Sequence, residues 1–136
     1  MTTHSRSVQR VLSRVRKICL ALPESSERLS HFEPTFFVGA KSGSGGKVFV
    51  SFVNDHHRDG IVGITFPAEP GAQAILIEAD PRRFYRPPYV GASGWVGLRL
   101  DVDVDWAEVA EFAEESWRRV APKRIVAAFD AARRGS

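Results

Sequence analysis

The chain has 136 residues, 43% hydrophobic and 26% charged, with 19 Lys and Arg against 16 Asp and Glu and a single cysteine. That length suits one domain with one core, and the apolar content argues against disorder. Cys19 alone excludes an internal disulfide and a cysteine-based zinc site, and no run approaches the roughly 20 apolar residues of a membrane span. The expectation is a soluble, cytoplasmic, single domain over residues 1–136, with its core between about residues 7 and 130.

The net charge of +3 is unevenly placed. Residues 1–20 carry +5 (Arg6, Arg10, Arg14, Arg16, Lys17), residues 117–136 carry +5, and the middle carries −7. Basic ends on an acidic middle point either to an anionic partner or to pairing between helices and sheet rim.

In chain order, residues 7–22 are predicted helical. Val8, Val11, Leu12, Val15, Ile18, Cys19 and Leu22 share one face, Arg6, Arg10, Arg14 and Lys17 lie opposite, and Pro23 ends the run. Three strands follow at 35–38, 47–53 and 61–66. The middle one alternates Val48, Val50 and Phe52 with Phe49, Ser51 and Val53, as a central strand would. Short connections favour antiparallel neighbours. A short helix over about 70–79 is expected to use Ile75 and Leu76 as its apolar contacts. The stretch Pro81 to Tyr89 holds three prolines among arginines and aromatics, and reads as an extended loop or edge. Residues 95–101 alternate as a strand buried on one face. Asp105 caps the next helix with Glu108 three residues on, as in a capping box, and Pro122 opens a last helix with Ile125, Val126 and Phe129. The element order is α-β-β-β-α-β-α-α.

Catalytic and cofactor patterns fail one by one. The glycine-rich stretch 41–46 lacks the P-loop spacing, since Lys41 stands where its first glycine belongs. Asp55, His56, His57 and Asp59 are ligands by type, but without metal-binding spacing they read as a polar turn; a metal enzyme using His31, His56 and His57 is set aside on the same ground. No nucleophile sits beside a base, and Cys19 lies on the apolar helix face. The expectation is a protein that is not an enzyme and holds neither cofactor nor metal. The basic features remain: the helical stripe of Arg6, Arg10, Arg14 and Lys17, and the cluster of Arg118, Arg119, Lys123 and Arg124. Phosphates are contacted mostly by such residues, although cations are also favoured at a helix C-terminus.

Several short motifs occur together: Leu22-Pro23, His31 to Phe36 (HFEPTF), Lys47-Val48-Phe49, Pro87-Pro88-Tyr89, Gly94-Trp95-Val96 and Ser116 to Lys123 (SWRRVAPK). In this order the chain resembles the MmcQ/YjbR family of small bacterial proteins. It departs from that family's pattern at Phe32, where Gly is usual, and at Trp117, where Tyr is usual. The resemblance implies an α+β two-layer sandwich like that of frataxin (CyaY-like), an antiparallel sheet covered by helices. It also implies binding of double-stranded DNA through exposed sheet and wing surfaces, with no established enzyme activity. The matched positions for that role are Lys47, Trp95 and Lys123, with Arg99 exposed beside Trp95. The alternative is a protein- or small-ligand-binding module using the sheet face around Phe37, Trp95 and Tyr89.

Overall fold

A computed structural model describes residues 6–39, 45–55 and 59–135. The chain runs α1 (Arg6–Leu20), β1 (Ser25–Ser30), β2 (Glu33–Val38), β3 (Lys47–Asn54), β4 (Val62–Phe66), α2 (Ala72–Ala79), β5 (Phe84–Tyr85), a 3₁₀ turn (Val90–Ser93), β6 (Val96–Arg99), α3 (Trp106–Val120) and α4 (Lys123–Arg134). The six strands form one antiparallel sheet in the order β1-β2-β3-β4-β6-β5. The expected α+β class and element order hold, with β1 and β5 added at the two edges.

One face of the sheet carries the core. Phe36, Val50, Phe52, Ile64, Phe66 and Leu98 are each at most 2% exposed. Burying a side chain of this kind contributes about 1.5–3 kcal/mol. From the helices, Leu12, Val15 and Cys19 of α1 and Val109, Ala113 and Trp117 of α3 close over them. The two helices run parallel. The Arg14 guanidinium lies 4.8 Å from the Trp106 ring at the start of α3, while Trp117 Nε1 donates to the Pro23 carbonyl (3.0 Å) just beyond the end of α1. α4 then folds back along α3, with Phe129 edge-on to Trp117 at 5.0 Å.

Local chemistry explains most of these elements, and corrects four readings. Asp105 caps α3 by accepting from Ala107 N (3.1 Å) and Glu108 N (3.3 Å). Glu108 does not complete the box; its carboxylate turns to Arg83, which also binds Asp80 at 2.6 Å. In α2, Ile75 is 68% exposed, and Leu76 and Ile77 make the apolar contact instead. In β3 the simple alternation fails. The register shifts between Phe36, which pairs with Val50, and Phe37, which pairs with Val48, leaving Phe49 as the extra residue of a bulge. Phe49 joins the core and Val48 falls on the other face with Ser51 and Val53.

The fourth correction is β1 itself. It is joined to β2 by a two-residue turn, His31-Phe32, with φ of 53° and 71°. Positive φ at both positions is what a type I′ hairpin needs, and it is why Asn-Gly is preferred there. Phe32 holds this conformation without glycine's freedom, at a cost of about 1 kcal/mol or more, and its ring is 94% exposed. The sheet's two edges differ: β5 has two residues between prolines, whereas β1 has six and contains none.

Candidate functional site

The structure separates the predicted basic residues rather than gathering them. Arg14 lies at the start of α3, whereas Arg118 and Arg119 sit at its other end. A rise of 1.5 Å per residue sets these groups about 18 Å apart along α3. Half of the described arginines are also held in ion pairs. Arg118 binds Asp130 (2.6 Å) and Glu114 (3.0 Å), Arg119 reaches Glu69 (3.4 Å), Arg124 reaches Glu24 (3.5 Å), and Arg16 binds Glu27 (2.6 Å). Arg99 holds Asp101 through two nitrogens at 3.0 and 2.8 Å. The basic C-terminal block is therefore largely met by pairing within the molecule, whereas in residues 1–20 only Arg16 is paired; exposed pairs of this kind contribute only about 0–1 kcal/mol each. Among the described residues Arg6, Arg10, Arg14, Lys17, Lys47, Arg82, Arg86, Lys123 and Arg134 are exposed and make no ion pair. Lys47 and Lys123 share one end of the molecule, because Lys47 pairs with Val38 and the following Gly39 lies against Pro122.

The pairings leave signatures in the carboxylates. Asp80, Asp101 and Asp130 are each held below the usual carboxylate range by a hydrogen-bonded guanidinium, from Arg83, Arg99 and Arg118 respectively. Cys19 is the opposite case: burial pushes its thiol up, away from the reactive thiolate.

The face of the sheet turned away from the helices carries a groove of about 510 Å³. Its floor is a row of small polar side chains, because Thr35 pairs with Ser51, Ser51 with Thr65 and Thr65 with Gly97. Gly97 is needed there. The ring of Tyr85, its partner on β5, lies so close that a Cβ on Gly97 would come within 2.4 Å of it. Burial also pushes the Tyr85 phenol up, so it stays a neutral donor. One wall is Pro87, Pro88, Tyr89 and Trp95; the other is His31 and Glu33. The Glu33 carboxylate accepts from Asn54 N at 2.9 Å.

The wall that carries Trp95 is anchored from α2. Gln73 Nε2 donates to the Trp95 carbonyl (2.6 Å) and to the Gly91 carbonyl (2.9 Å). Of the residues singled out from the sequence, Trp95, Tyr89, His31 and Asp59 line this groove. Trp95 is half-buried and Tyr89 is 87% exposed. Phe37 does not belong to it: it is 7% exposed, and the Arg28 guanidinium covers its ring at 3.5 Å. Arg99 is not free beside Trp95 either, being held by Asp101. Gln73, Ser51 and Thr65 went unnoticed in the sequence, since nothing local marks a glutamine or a hydroxyl as facing a groove.

Among the described residues no group of three or more His, Cys, Asp and Glu side chains is arranged to hold a metal ion, and His56 and His57 lie outside those residues. No helix among them is long and apolar enough to cross a membrane. A second hollow, of about 490 Å³, lies between α2 and α3, but its cations Arg118 and Arg119 are already paired.

An antiparallel sheet with helices on one face and a groove on the other defines an α+β protein with an open sheet surface. The chain belongs to the YjbR family, whose model matches residues 20–119. The fold is similar to that of Deinococcus radiodurans protein DR2400, a crystal structure with a DUF419 domain. The TM-score is 0.65, with 22% identity over 80% of this chain and 77% of that one. Among curated proteins none matches the chain.

Proposed function

We propose that the protein is a non-catalytic binding protein whose open sheet face takes a small molecule in the Trp95 groove. The observation that carries this reading is the groove's construction. Side chains from β2, β3, β4 and β5 and from the loop before β6 converge on it, and a glutamine on α2 fixes one wall. Its volume falls in the range of about 300–1,000 Å³ usual for ligand sites, with aromatic walls and a few polar groups. What favours binding over catalysis is that the floor hydroxyls of Ser51 and Thr65 are not hydrogen-bonded to any imidazole or carboxylate that would activate them. A fragment screen on the ¹⁵N-labelled full chain tests the reading. Hits should move the Trp95 indole and the amides of Ser51, Thr65 and Tyr85, and Trp95→Ala should remove them. Hits confined to other surfaces in such a screen would overturn the groove as the binding site.

A second reading, binding of double-stranded DNA, is supported by the exposed cations that lack ion pairs. Arg6, Arg10 and Lys17 follow the outer face of α1, and Lys47 and Lys123 share one end of the molecule. It predicts affinity that falls steeply with log salt, and a slope shallower by about 1 for each phosphate contact removed by Lys47→Ala or Lys123→Ala. Absence of binding to duplex DNA at about 50 mM salt, where phosphate contacts are strong, would remove it.

A further inference from the structure

Resting on the groove as a small-molecule site, we infer that its ligand is an uncharged planar aromatic with a hydrogen-bonding edge, of the aromatic amide or nucleobase type. Three observations fix that chemistry.

The first is the floor. Thr65 is 6% exposed, lines the groove, and its hydroxyl makes no hydrogen bond within the protein; Ser51, its direct cross-strand partner, is half-buried and likewise unbonded. Neither oxygen is sealed from water, so both hydroxyls stand open to the groove and can bond what enters it. Each hydroxyl can donate one hydrogen bond and accept others, so the pair matches an edge that presents both an acceptor and a donor.

The second is the wall. Trp95, Tyr89 and Tyr85 all line this space, together with Pro87 and Pro88. Flat rings stack on such surfaces, and stacking adds about 0.5–1.5 kcal/mol per pair beyond the area buried.

The third is charge. In a chain with 19 Lys and Arg, no described residue lining the groove is either one; its ionisable members other than tyrosine are His31, Glu33 and Asp59. The guanidinium that acts on the Tyr85 phenol, Arg99, is already bound by Asp101. A carboxylate or phosphate on the ligand would be desolvated there with no counter-charge. The carboxylates of Glu33 and Asp59 in turn accept from Asn54 N (2.9 Å) and Ile61 N (3.0 Å), so both take part in the groove's own bonding.

Benzamide, benzamidine and benzoate are nearly isosteric and differ in charge, which makes them the probes. Each is titrated into the ¹⁵N-labelled full chain while the Trp95 indole and the Ser51 and Thr65 amides are followed. Benzamide should bind at least tenfold more tightly than benzoate. Thr65→Val keeps the shape of the side chain and removes the hydroxyl. It should weaken benzamide at least fivefold while leaving the melting temperature of the free protein unchanged or higher. A purely structural threonine would not give those opposite signs.

Benzoate binding as tightly as benzamide, benzamidine binding more than tenfold better, or benzamide affinity unchanged in Thr65→Val would each overturn the assignment of ligand class. In all three cases the probes still move the groove resonances, so the groove itself survives. Silence of those resonances to all three probes also overturns the class; the groove reading falls separately, when the broader fragment screen maps elsewhere.

Discussion

The closest approach in the groove is also the place to perturb it. A Cβ on Gly97 would lie 2.4 Å from two carbons of the Tyr85 ring and 2.6 Å from a third. Van der Waals contact needs about 3.4 Å or more, so Gly97→Ala must lift the ring by roughly 1 Å; overpacking of that size costs about 1–3 kcal/mol. With an unfolding entropy of about 2.1 cal/mol/K per residue, the loss for this chain is a fall in melting temperature of about 3–10 °C. The backbone itself is not the obstacle, because Gly97 is regular strand paired with Thr65. Tyr85→Ala should therefore absorb the penalty. In a double-mutant cycle followed by urea unfolding, Gly97→Ala should cost about 1 kcal/mol less, or better, in the Tyr85→Ala background than in the wild type. Equal cost in both backgrounds would show that the ring does not limit the site, and would refute the close-contact argument.

Two further outcomes follow from the core and the ion pairs. Trp117→Phe leaves the Pro23 carbonyl without its indole donor and opens space beside Phe129; the two effects together should cost about 2–4 kcal/mol, read as a lower urea midpoint at unchanged slope. Acid should destabilise the fold through Asp80, Asp101 and Asp130, whose carboxyls lie below their unfolded values. Their contribution is complete above about pH 4, the unfolded value, and is lost as pH falls through the lower folded values. Melting temperature measured from pH 6 to pH 2 should drop below pH 4, and Asp130→Asn should flatten part of that limb; an unchanged limb would argue that the Arg118 pair adds nothing to the native state.

How much of this was legible depended on whether the determining contact was local. The apolar face of α1 and the Asp105 cap of α3 are written within a few residues, and both appear where the periodicity places them. β1 is not, because Ser25-Ser26-Glu27-Arg28-Leu29-Ser30 has none of the branched or aromatic residues that mark strands. It is a strand through six successive pairings with β2, across a turn whose residues do not advertise positive φ. The β3 bulge is hidden for the same reason, since one extra residue in the ladder reverses which side chains are buried. In the groove, Trp95 and Tyr89 stood out as aromatics near prolines. The hydroxyl row could not, because Thr35, Ser51 and Thr65 come from three strands and meet only when the register is known. The basic residues drew attention by number, yet ion partners far off in sequence, such as Glu24 for Arg124 and Asp130 for Arg118, decide how much of that charge faces outward.

The unequal edges of the sheet bear on how copies of the chain can join. β5 offers two residues bounded by prolines, which lack the N–H a new strand would need, whereas β1 offers six uninterrupted ones. Strand addition between copies is thus confined to β1 against β1. An isologous contact of that kind consumes the edge it uses and leaves a β5 edge at either end. The geometry closes at two copies, so open-ended stacking into a fibre is disfavoured by the layout of the sheet itself.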